Sequence, residues 1–413
     1  MSESYIDLSA GEGTVPRTLD RNTMDSQTSS CNVLIIGSGL AGLTAAHALK
    51  QREIAAVILE GEGDVGSSWV RRHPQLTLNT HRGLSTLPSL KYPRGTAAFP
   101  KRDAVIAHLR AFRDEHLFDI RYNCAAVSVD KADGHFVVST KNGTWRTRHL
   151  IIATGRDRIP SVPQWKGLNT FSGKLVHAAD FGDAKDYAGK SVLVIGSGNS
   201  GFDVLNHLVK VRTAKLWLSA RNGPNILPKR LRGFSVHRLS PLLALLPTAL
   251  ADRVIGWTQR LSFGDLTKLG FPPGQMNAAT RLTGSSVAIA VDDGAIAAIK
   301  RGRIAVVSEA VEFSDASVIL ENGLTLKPDV VIAAVGYSAG ISELVGKLGV
   351  LDERGNSVFD RRTGRTAVPG LWFVGMKPSL TSYFRQAERE ATVIAESVAK
   401  AVTNSPARGR PTI

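Results

Sequence analysis

Two copies of the pattern Gly-x-Gly-x-x-Gly, each set between a buried strand and a helix, dominate this sequence. The first copy, residues 37–42, follows the apolar run 33–36 and precedes a stretch rich in Ala and Leu. The second copy, residues 196–201, follows the apolar run 191–195. Strand, glycine turn, helix and second strand in this order are typical of a Rossmann-type dinucleotide-binding unit. Because the order occurs twice, we predict an α/β fold with two such units.

The three glycines of each turn have separate physical roles. The first allows a tight bend, the second lets the backbone approach a pyrophosphate, and the third lets helix and strand pack closely. The helix that follows presents unpaired N–H groups and a positive dipole end to the phosphates. The predicted phosphate-binding residues are Gly37, Ser38, Gly39, Leu40, Ala41 and Gly42 in the first unit, and Gly196, Ser197, Gly198, Asn199, Ser200 and Gly201 in the second.

The two units differ at the end of the second strand, where such units bind a ribose. In the first unit this strand ends at Glu60, whose carboxylate would accept hydrogen bonds from a ribose diol. In the second unit it ends at Ser219, and Arg221 stands two residues beyond. A carboxylate would repel a 2′-phosphate, whereas a hydroxyl and a guanidinium would bind one. The second unit is therefore predicted to bind NADPH.

Composition narrows the class of protein. The formal net charge is +15, yet the arginines are scattered and aromatic residues make up only 6% of the chain. Nucleic-acid surfaces need clustered basic residues interleaved with aromatics, so we expect no nucleic-acid partner. The two cysteines, Cys31 and Cys124, are far apart, which fits a cytoplasmic protein and excludes a Cys-x-x-Cys redox pair. The histidines, among them His73, show no spacing typical of a metal site.

Three further apolar segments, residues 150–155, 330–337 and 371–375, have a glycine at or next to their last position. Such strand ends place the backbone beside a cofactor at the carboxyl edge of a parallel sheet. The predicted contacts are Ala153, Thr154, Gly155 and Gly375 with the first nucleotide, and Gly336 with the second.

The two glycine motifs and the small-residue turns occur together with the segment Phe171-x-Gly173-x-x-x-His177. In this combination the chain resembles the flavin-containing monooxygenases over residues 31–402. Residues 221–228 and 291–304 look most like the plant YUCCA-type branch and its bacterial relatives. Four residues after the histidine stands Phe181, where a tryptophan would have favoured the Baeyer–Villiger branch.

The resemblance implies that the first nucleotide is FAD and that its domain is split by the NADPH unit. We predict a flavin domain of residues 31–163 and 298–402, and an NADPH domain of residues 164–297 with a helical segment at 224–290. Residues 1–30 and 403–413 are expected to be disordered tails. Further FAD contacts are expected at Ser68, Trp69 and Val127, although the loop at 66–69 lacks the second glycine that the family often carries.

The resemblance also implies the chemistry. NADPH would reduce FAD, dioxygen would form a hydroperoxide at the flavin C4a atom, and one oxygen would pass to a small organic substrate. Heteroatom oxygenation is slightly favoured over oxidative decarboxylation of a 2-oxo acid. Asn79 is a candidate for steadying the oxygen-bearing flavin, or else an amide that caps a turn. His177 is the second candidate, with the organisation of an interdomain linker as its favoured role.

Two other functions stay open at this point. An NADPH-dependent acceptor reductase would use the same doubled architecture without inserting oxygen. A basic flavoprotein that binds nucleic acid or a membrane surface is the alternative of another class. Residues 231–261 are rich in apolar residues and predict a helical lid over the substrate route, a surface that rests on a membrane, or extra core. The sequence leaves the oligomeric state open.

Overall fold

The computed structural model describes residues 28–403. In chain order its strands are β1 (Thr28–Ile36), β2 (Val57–Leu59), β3 (Asp119–Arg121), β4 (Ala126–Ala132), β5 (His135–Thr140), β6 (Gly143–Ile152), β7 (Ile159–Pro160), β8 (Lys174–His177), β9 (Ser191–Ile195), β10 (Lys215–Ser219), β11 (Ile226–Pro228), β12 (Arg230–Leu231), β13 (Phe234–Ser235), β14 (Ala290–Asp292), β15 (Ala305–Val307), β16 (Ala310–Ser314), β17 (Ser317–Leu320), β18 (Thr325–Leu326), β19 (Val330–Ala333), β20 (Tyr337–Ser338) and β21 (Leu371–Phe373). The α-helices are α1 (Leu40–Lys50), α2 (Ser67–Val70), α3 (Arg102–His116), α4 (Asn199–Leu208), α5 (Ser240–Leu243), α6 (Thr248–Phe263), α7 (Ala278–Gly284), α8 (Ala295–Lys300), α9 (Ser342–Val345) and α10 (Tyr383–Thr403).

The first sheet has the strand order β3-β2-β1-β6-β5-β4, and β21 pairs with the second half of β6. Strands β1, β2, β3, β6 and β21 are parallel, whereas β4 and β5 form an antiparallel extension. The end of β1 is buried on both faces, as an apolar run in a parallel sheet requires. Helices α1, α3 and α10 cover one face through a shared apolar core.

The second sheet has the order β15-β10-β9-β19-β8 and is parallel throughout. Helices α4 and α8 pack on one face, and the antiparallel sheet β16-β17-β18 packs on the other. The two sheets confirm the predicted fold of two Rossmann-like domains, one inserted into the other.

The predicted boundary at residue 298 is wrong. Strands β15 and β19, at residues 305–333, belong to the second sheet and not to the first. The inserted domain therefore continues to about residue 335, and the short antiparallel pair β7–β20 joins the two crossings between the domains. Local sequence did not reveal this, because β19 pairs with β8 and β9, which lie far away in the chain.

The segment at 224–290 is only partly helical, which corrects a second prediction. It contains α5, α6 and α7, but also the hairpin β12–β13 and the parallel pair β11–β14, which joins its two ends. Of the predicted tails, residues 28–30 lie in β1 and Thr403 ends α10, while residues 1–27 and 404–413 lie outside the described residues. Within the described part of the chain, no helix combines the length and apolarity needed to cross a membrane.

Candidate active site

The first glycine turn lies where β1 meets α1 and is held against the end of β6. Gly37 has a φ of +104°, and a Cβ atom there would lie 2.8 Å from the Ala153 carbonyl oxygen. A Cβ atom on Gly42 would lie 1.8 Å from the carbonyl oxygen of Gly37. Any side chain at these positions would force turn, helix and strand apart, so both glycines are required by packing.

The second turn repeats this geometry, with Ala334 in the place of Ala153. Gly196 has a φ of +114°, and a Cβ atom there would lie 2.5 Å from the Ala334 carbonyl oxygen. On Gly201 it would lie 1.9 Å from the Gly196 carbonyl oxygen. The strand β19 thus supports the second turn as β6 supports the first, which is the physical reason that it belongs to the second domain.

The middle glycine of each turn faces open space. A Cβ atom on Gly39 or on Gly198 would meet no heavy atom of the described residues within 4 Å. Both glycines are the N-caps of their helices, and neither helix has a side-chain cap, so the first N–H groups of α1 and α4 stay available. The buried hydroxyl of Thr154, beside the first turn, also has no hydrogen-bond partner among the described residues. These features fit two dinucleotides, each with its pyrophosphate at one helix end.

Glu60 is buried at the end of β2 and points back to the first turn. Its Oε2 atom accepts hydrogen bonds from the Ser38 N–H at 2.8 Å and from the Ser38 hydroxyl at 2.6 Å. Its Oε1 atom accepts one from the Glu62 N–H at 3.0 Å. The carboxylate therefore fixes the turn, and it lines the cavity where the sequence places a ribose.

At the end of β10, Ser219 makes contacts within the protein that the sequence did not predict. The Ser219 hydroxyl donates to the Ser308 carbonyl oxygen and accepts from the Ala310 N–H, each at 3.0 Å. The hydroxyl therefore joins strands, and Ser219 also lines the cavity. Arg221 is exposed and lies 3.7 Å from a carboxylate oxygen of Glu309. An exposed pair of this kind is weak, so the guanidinium remains free to turn towards a phosphate.

Both glycine turns open onto one continuous cavity of about 1850 Å³. A site for one small ligand rarely exceeds about 1,000 Å³, so the cavity has room for more than one ligand. Of the predicted contacts, Ser68, Trp69, Gly155, Gly336 and Gly375 line it. Val127 does not, because its side chain points to solvent, and the neighbouring Ala125 and Ala126 line the cavity instead.

Asn79 lies at the junction of the two domains. Its Nδ2 atom donates to the Oδ1 atom of Asn199, at the first position of α4, over 2.9 Å. An amide nitrogen carries two N–H groups, so one donor and the carbonyl oxygen are left for a ligand in the cavity. The side chain is half-buried and reaches the cavity between the two glycine turns.

Alternate residues before Asn79 make similar contacts with the inserted domain. Gln75 bonds to the Asp183 carboxylate and to the Ala184 N–H, each at 3.0 Å, and Thr77 accepts from the Lys229 ammonium at 2.9 Å. A turn at residues 73–76, closed by a hydrogen bond from the Leu76 N–H to the His73 carbonyl oxygen, precedes Thr77 and Asn79. Residues 73–79 therefore form a strip of the first domain that is attached along the second.

The strip begins with His73, which sequence analysis did not recognise. Its Nε2 atom lies 2.8 Å from an oxygen of Asp203, and the Asp203 carboxylate lies 3.8 Å from His207. Burial lowers the pKa of the His207 imidazole to about 4. The cluster could accept a metal ion by its donor atoms, but the positive charge of Lys229 acts on it as well, so we interpret it as an interdomain contact. His73 and Asp203 are 130 positions apart, which explains why no spacing indicated this cluster.

His177 ends β8 and contacts the linker between the domains. Its Nε2 atom lies 3.1 Å from the Gly336 carbonyl oxygen, and its Nδ1 atom accepts from the Ala179 N–H at 3.0 Å. Both ring nitrogens are occupied, and the ring is not part of the cavity wall. We therefore assign His177 as a positioning residue and not as a catalytic one.

The cavity also includes residues that sequence analysis missed. Tyr383, at the start of α10, lines it, and burial raises the pKa of its phenol well above the usual range. Arg156 and Arg281 line the same cavity, as does an apolar wall formed in part by Leu227 and Ile289. No motif marks these residues, because three separate elements bring them together.

Known proteins similar to this chain are nucleotide-dependent oxidoreductases and monooxygenases. The model of a family described as pyridine nucleotide-disulphide oxidoreductase matches residues 34–224. The indole-3-pyruvate monooxygenase YUCCA4 of Oryza sativa subsp. japonica is 30% identical over 327 residues, which cover 75% of this chain and 74% of that protein. YUCCA6 of Arabidopsis thaliana, another indole-3-pyruvate monooxygenase, is 31% identical over 337 residues, covering 78% of this chain and 80% of that protein.

Among solved structures, a flavin-containing monooxygenase from Stenotrophomonas maltophilia has the same fold. It superposes with a TM-score of 0.67 at 22% identity, over 91% of this chain and 99% of that chain. This likeness confirms the predicted fold, and the identity with the plant enzymes confirms the resemblance expected from the sequence.

Proposed function

This chain belongs to the flavin-dependent monooxygenases, the family of oxidoreductases that contains the plant indole-3-pyruvate monooxygenases, and from that membership we propose that it inserts one atom of dioxygen into a small organic substrate. FAD and NADPH are the cofactors of this family. The observation that carries the proposal is the single cavity onto which both glycine turns open. FAD, once reduced by NADPH, would supply the activation of dioxygen.

The residues of this chain would bind the two cofactors, orient the reacting groups and exclude water. Glu60 and the helix end at Gly39 would hold the FAD, while Arg221 and the helix end at Gly198 would hold the NADPH. The Asn79 amide, fixed by Asn199, presents a hydrogen-bond donor that does not readily give up its proton. The apolar wall limits the entry of water, which protects an oxygen-transferring site from losing its oxidant as peroxide.

The described cysteines do not support a disulfide reductase, the activity that the matched family model names. Cys31 and Cys124 are both free, and neither lines the cavity. Burial raises the pKa of the Cys31 thiol to about 11, so it is a poor nucleophile at neutral pH. Oxygen insertion is therefore the better supported function.

The substrate that we propose is a small apolar 2-oxo acid. Arg156 and Arg281 supply guanidinium groups that would bind a carboxylate, and the apolar wall would hold the rest of the molecule. The names of the plant relatives point to the same class. The reaction would consume a 2-oxo acid, dioxygen, NADPH and a proton, and would form the shortened carboxylic acid, carbon dioxide, NADP⁺ and water. Oxygenation of an amine or a sulfide is the second candidate, since the apolar wall also suits such compounds.

We expect labelled dioxygen to leave one oxygen atom in the product. The purified protein with FAD, NADPH and ¹⁸O₂ is given indole-3-pyruvate in one reaction and an aryl methyl sulfide in another, and the products are analysed by mass spectrometry. In Asn79→Ala the share of NADPH that ends as hydrogen peroxide should rise about tenfold, because one oriented donor is lost. Asn322→Ala, in the turn between β17 and β18, serves as the matched control. Oxidation of NADPH without label in either product would contradict the proposed function.

For Arg221→Ala we expect a loss of preference for NADPH over NADH by about tenfold or more, since one charge-assisted contact with the 2′-phosphate is removed. Glu309→Gln should shift the preference the other way, because its carboxylate lies 3.7 Å from Arg221 and repels a phosphate. The ratio of kcat/KM values for the two nucleotides measures both effects. If that ratio is the same in Arg221→Ala as in the parent protein, the phosphate is bound elsewhere.

A further inference from the structure

The outer surface of α5 and α6 is apolar. Large hydrophobic side chains that face solvent are concentrated in residues 231–261, and the exposed fraction is 81% for Leu245 and 68% for Trp257. We call this the α5–α6 surface, and its main exposed side chains are Leu242, Leu245, Leu250, Val254, Trp257 and Leu261.

The spacing along α6 places these side chains together. Leu250, Val254, Trp257 and Leu261 are separated by four, three and four positions, so they form one stripe along the helix. The opposite side of α6, with Ile255, is buried against the domain. A helix that buries one side and exposes a second apolar stripe has a face with no partner among the described residues.

The charges around this stripe have one sign. Arg232, Arg238, Arg253 and Arg260 are exposed in the same segment. Asp252 is the only acidic residue of residues 231–261, and it is buried, where its carboxylate accepts a hydrogen bond from the start of α7 at 2.6 Å. The segment therefore shows arginine and apolar side chains to solvent, but no carboxylate.

We propose that the α5–α6 surface docks onto an anionic lipid surface. Leucine side chains with a tryptophan enter the boundary between headgroups and acyl chains, and arginines beside them pair with the lipid phosphates. The net charge of +15 adds a longer-range attraction to an anionic membrane. No helix needs to cross the bilayer for this form of binding.

A second copy of the chain is a poorer occupant of the same surface. In a twofold contact the same patch meets itself, so the four arginines would face their own copies with no carboxylate of the segment to neutralise them. Lipid phosphates supply the missing negative charge.

The α5–α6 surface lies next to the cavity, so docking onto lipid would affect how substrate enters. Leu239, Leu242 and Val254 are exposed and also line the cavity, so the surface borders a cavity mouth. An apolar substrate dissolved in lipid would enter from the docked side without passing through water. This consequence rests on the proposed function, whereas the docking itself does not.

The test is cosedimentation of the full chain with vesicles at physiological salt. One set of vesicles contains equal parts of phosphatidylglycerol and phosphatidylcholine, and the other contains phosphatidylcholine alone. We expect binding to the anionic vesicles, weakened about tenfold by each of Leu245→Glu and Trp257→Glu, which do not line the cavity. Charge reversal at Arg253 and Arg260 should weaken it by about fivefold per arginine. Leu324→Glu is the control, because Leu324 is also exposed, at 59%, but lies between β17 and β18 and outside the α5–α6 surface.

Thermal unfolding followed by circular dichroism verifies that each variant is folded, independently of cofactor binding. Three results would overturn the proposal: no binding to anionic vesicles, equal loss in Leu324→Glu, or equal binding of the parent and the Leu245 and Trp257 variants. Sedimentation equilibrium provides one more check. A dimer in solution that Trp257→Glu dissociates would assign the surface to a second copy and would also overturn it.

Discussion

Glu60→Ala is expected to be purified colourless, with a dissociation constant for FAD raised at least about a hundredfold. The Glu60 carboxylate accepts three hydrogen bonds, two from Ser38 in the first turn and one from the Glu62 N–H just after β2. Removal of a buried charged acceptor costs about 1.5–3 kcal/mol for each such bond and also removes the predicted ribose anchor. Titration of the apoprotein with FAD, followed by quenching of flavin fluorescence, measures the effect.

Two further variants test whether the loss of FAD binding is specific to the Glu60 carboxylate. Glu60→Gln keeps the size of the side chain but sets an amide N–H against a backbone donor, so its affinity for FAD should be intermediate. Glu388→Ala removes an exposed acid of α10 and should bind FAD like the parent protein. A Glu60→Ala protein that is purified with a full complement of FAD would refute the role given to this carboxylate.

Gly198→Ala is expected to weaken binding of NADPH about tenfold to a hundredfold while the FAD content stays unchanged. The added Cβ atom would meet no atom of the described residues within 4 Å, and the φ of −85° and ψ of −168° at Gly198 are open to alanine. The fold should therefore tolerate the change, but the methyl group would stand where the pyrophosphate approaches α4. The NADPH concentration that gives half-maximal flavin reduction measures the loss.

The paired turns offer matched controls. Gly39→Ala should weaken FAD binding and leave the second site intact, the reverse of Gly198→Ala. Gly346→Ala also meets no neighbouring atom and should change neither site. Reduction of the flavin by dithionite should be normal in Gly198→Ala, since that reaction does not use the nucleotide. An unchanged half-saturating NADPH concentration would place the pyrophosphate away from this turn.

The two nucleotide sites were predictable because their determinants are local. Strand, turn and helix follow one another within each unit, and β1, α1, β9 and α4 lie where the glycine motifs place them. The steric demand on Gly42 and Gly201 comes from a carbonyl oxygen only five residues earlier in each turn. Patterns of this length are contained within a short stretch of sequence.

Predictions failed where the outcome depended on a distant partner. Val127 follows residues that line the cavity, but the register between β4 and β5 shifts at this position, and the Val127 side chain faces solvent. The Ser219 hydroxyl is used by Ser308 and Ala310, which reach it only because β15 and the start of β16 lie beside β10. Both residues lie in or at the end of a strand, as predicted, but the contacts of their side chains differ from those predicted.

The presence of two Rossmann-type units could be predicted from local sequence, because each motif is complete within a few dozen residues. Three features emerge only from the folded chain: β19 belongs to the second sheet, His73 contacts Asp203 across the domain junction, and an apolar stripe of α6 faces outwards. The physical reason is that strand pairing, ion pairs and burial depend on which distant segments meet, and local periodicity does not carry that information.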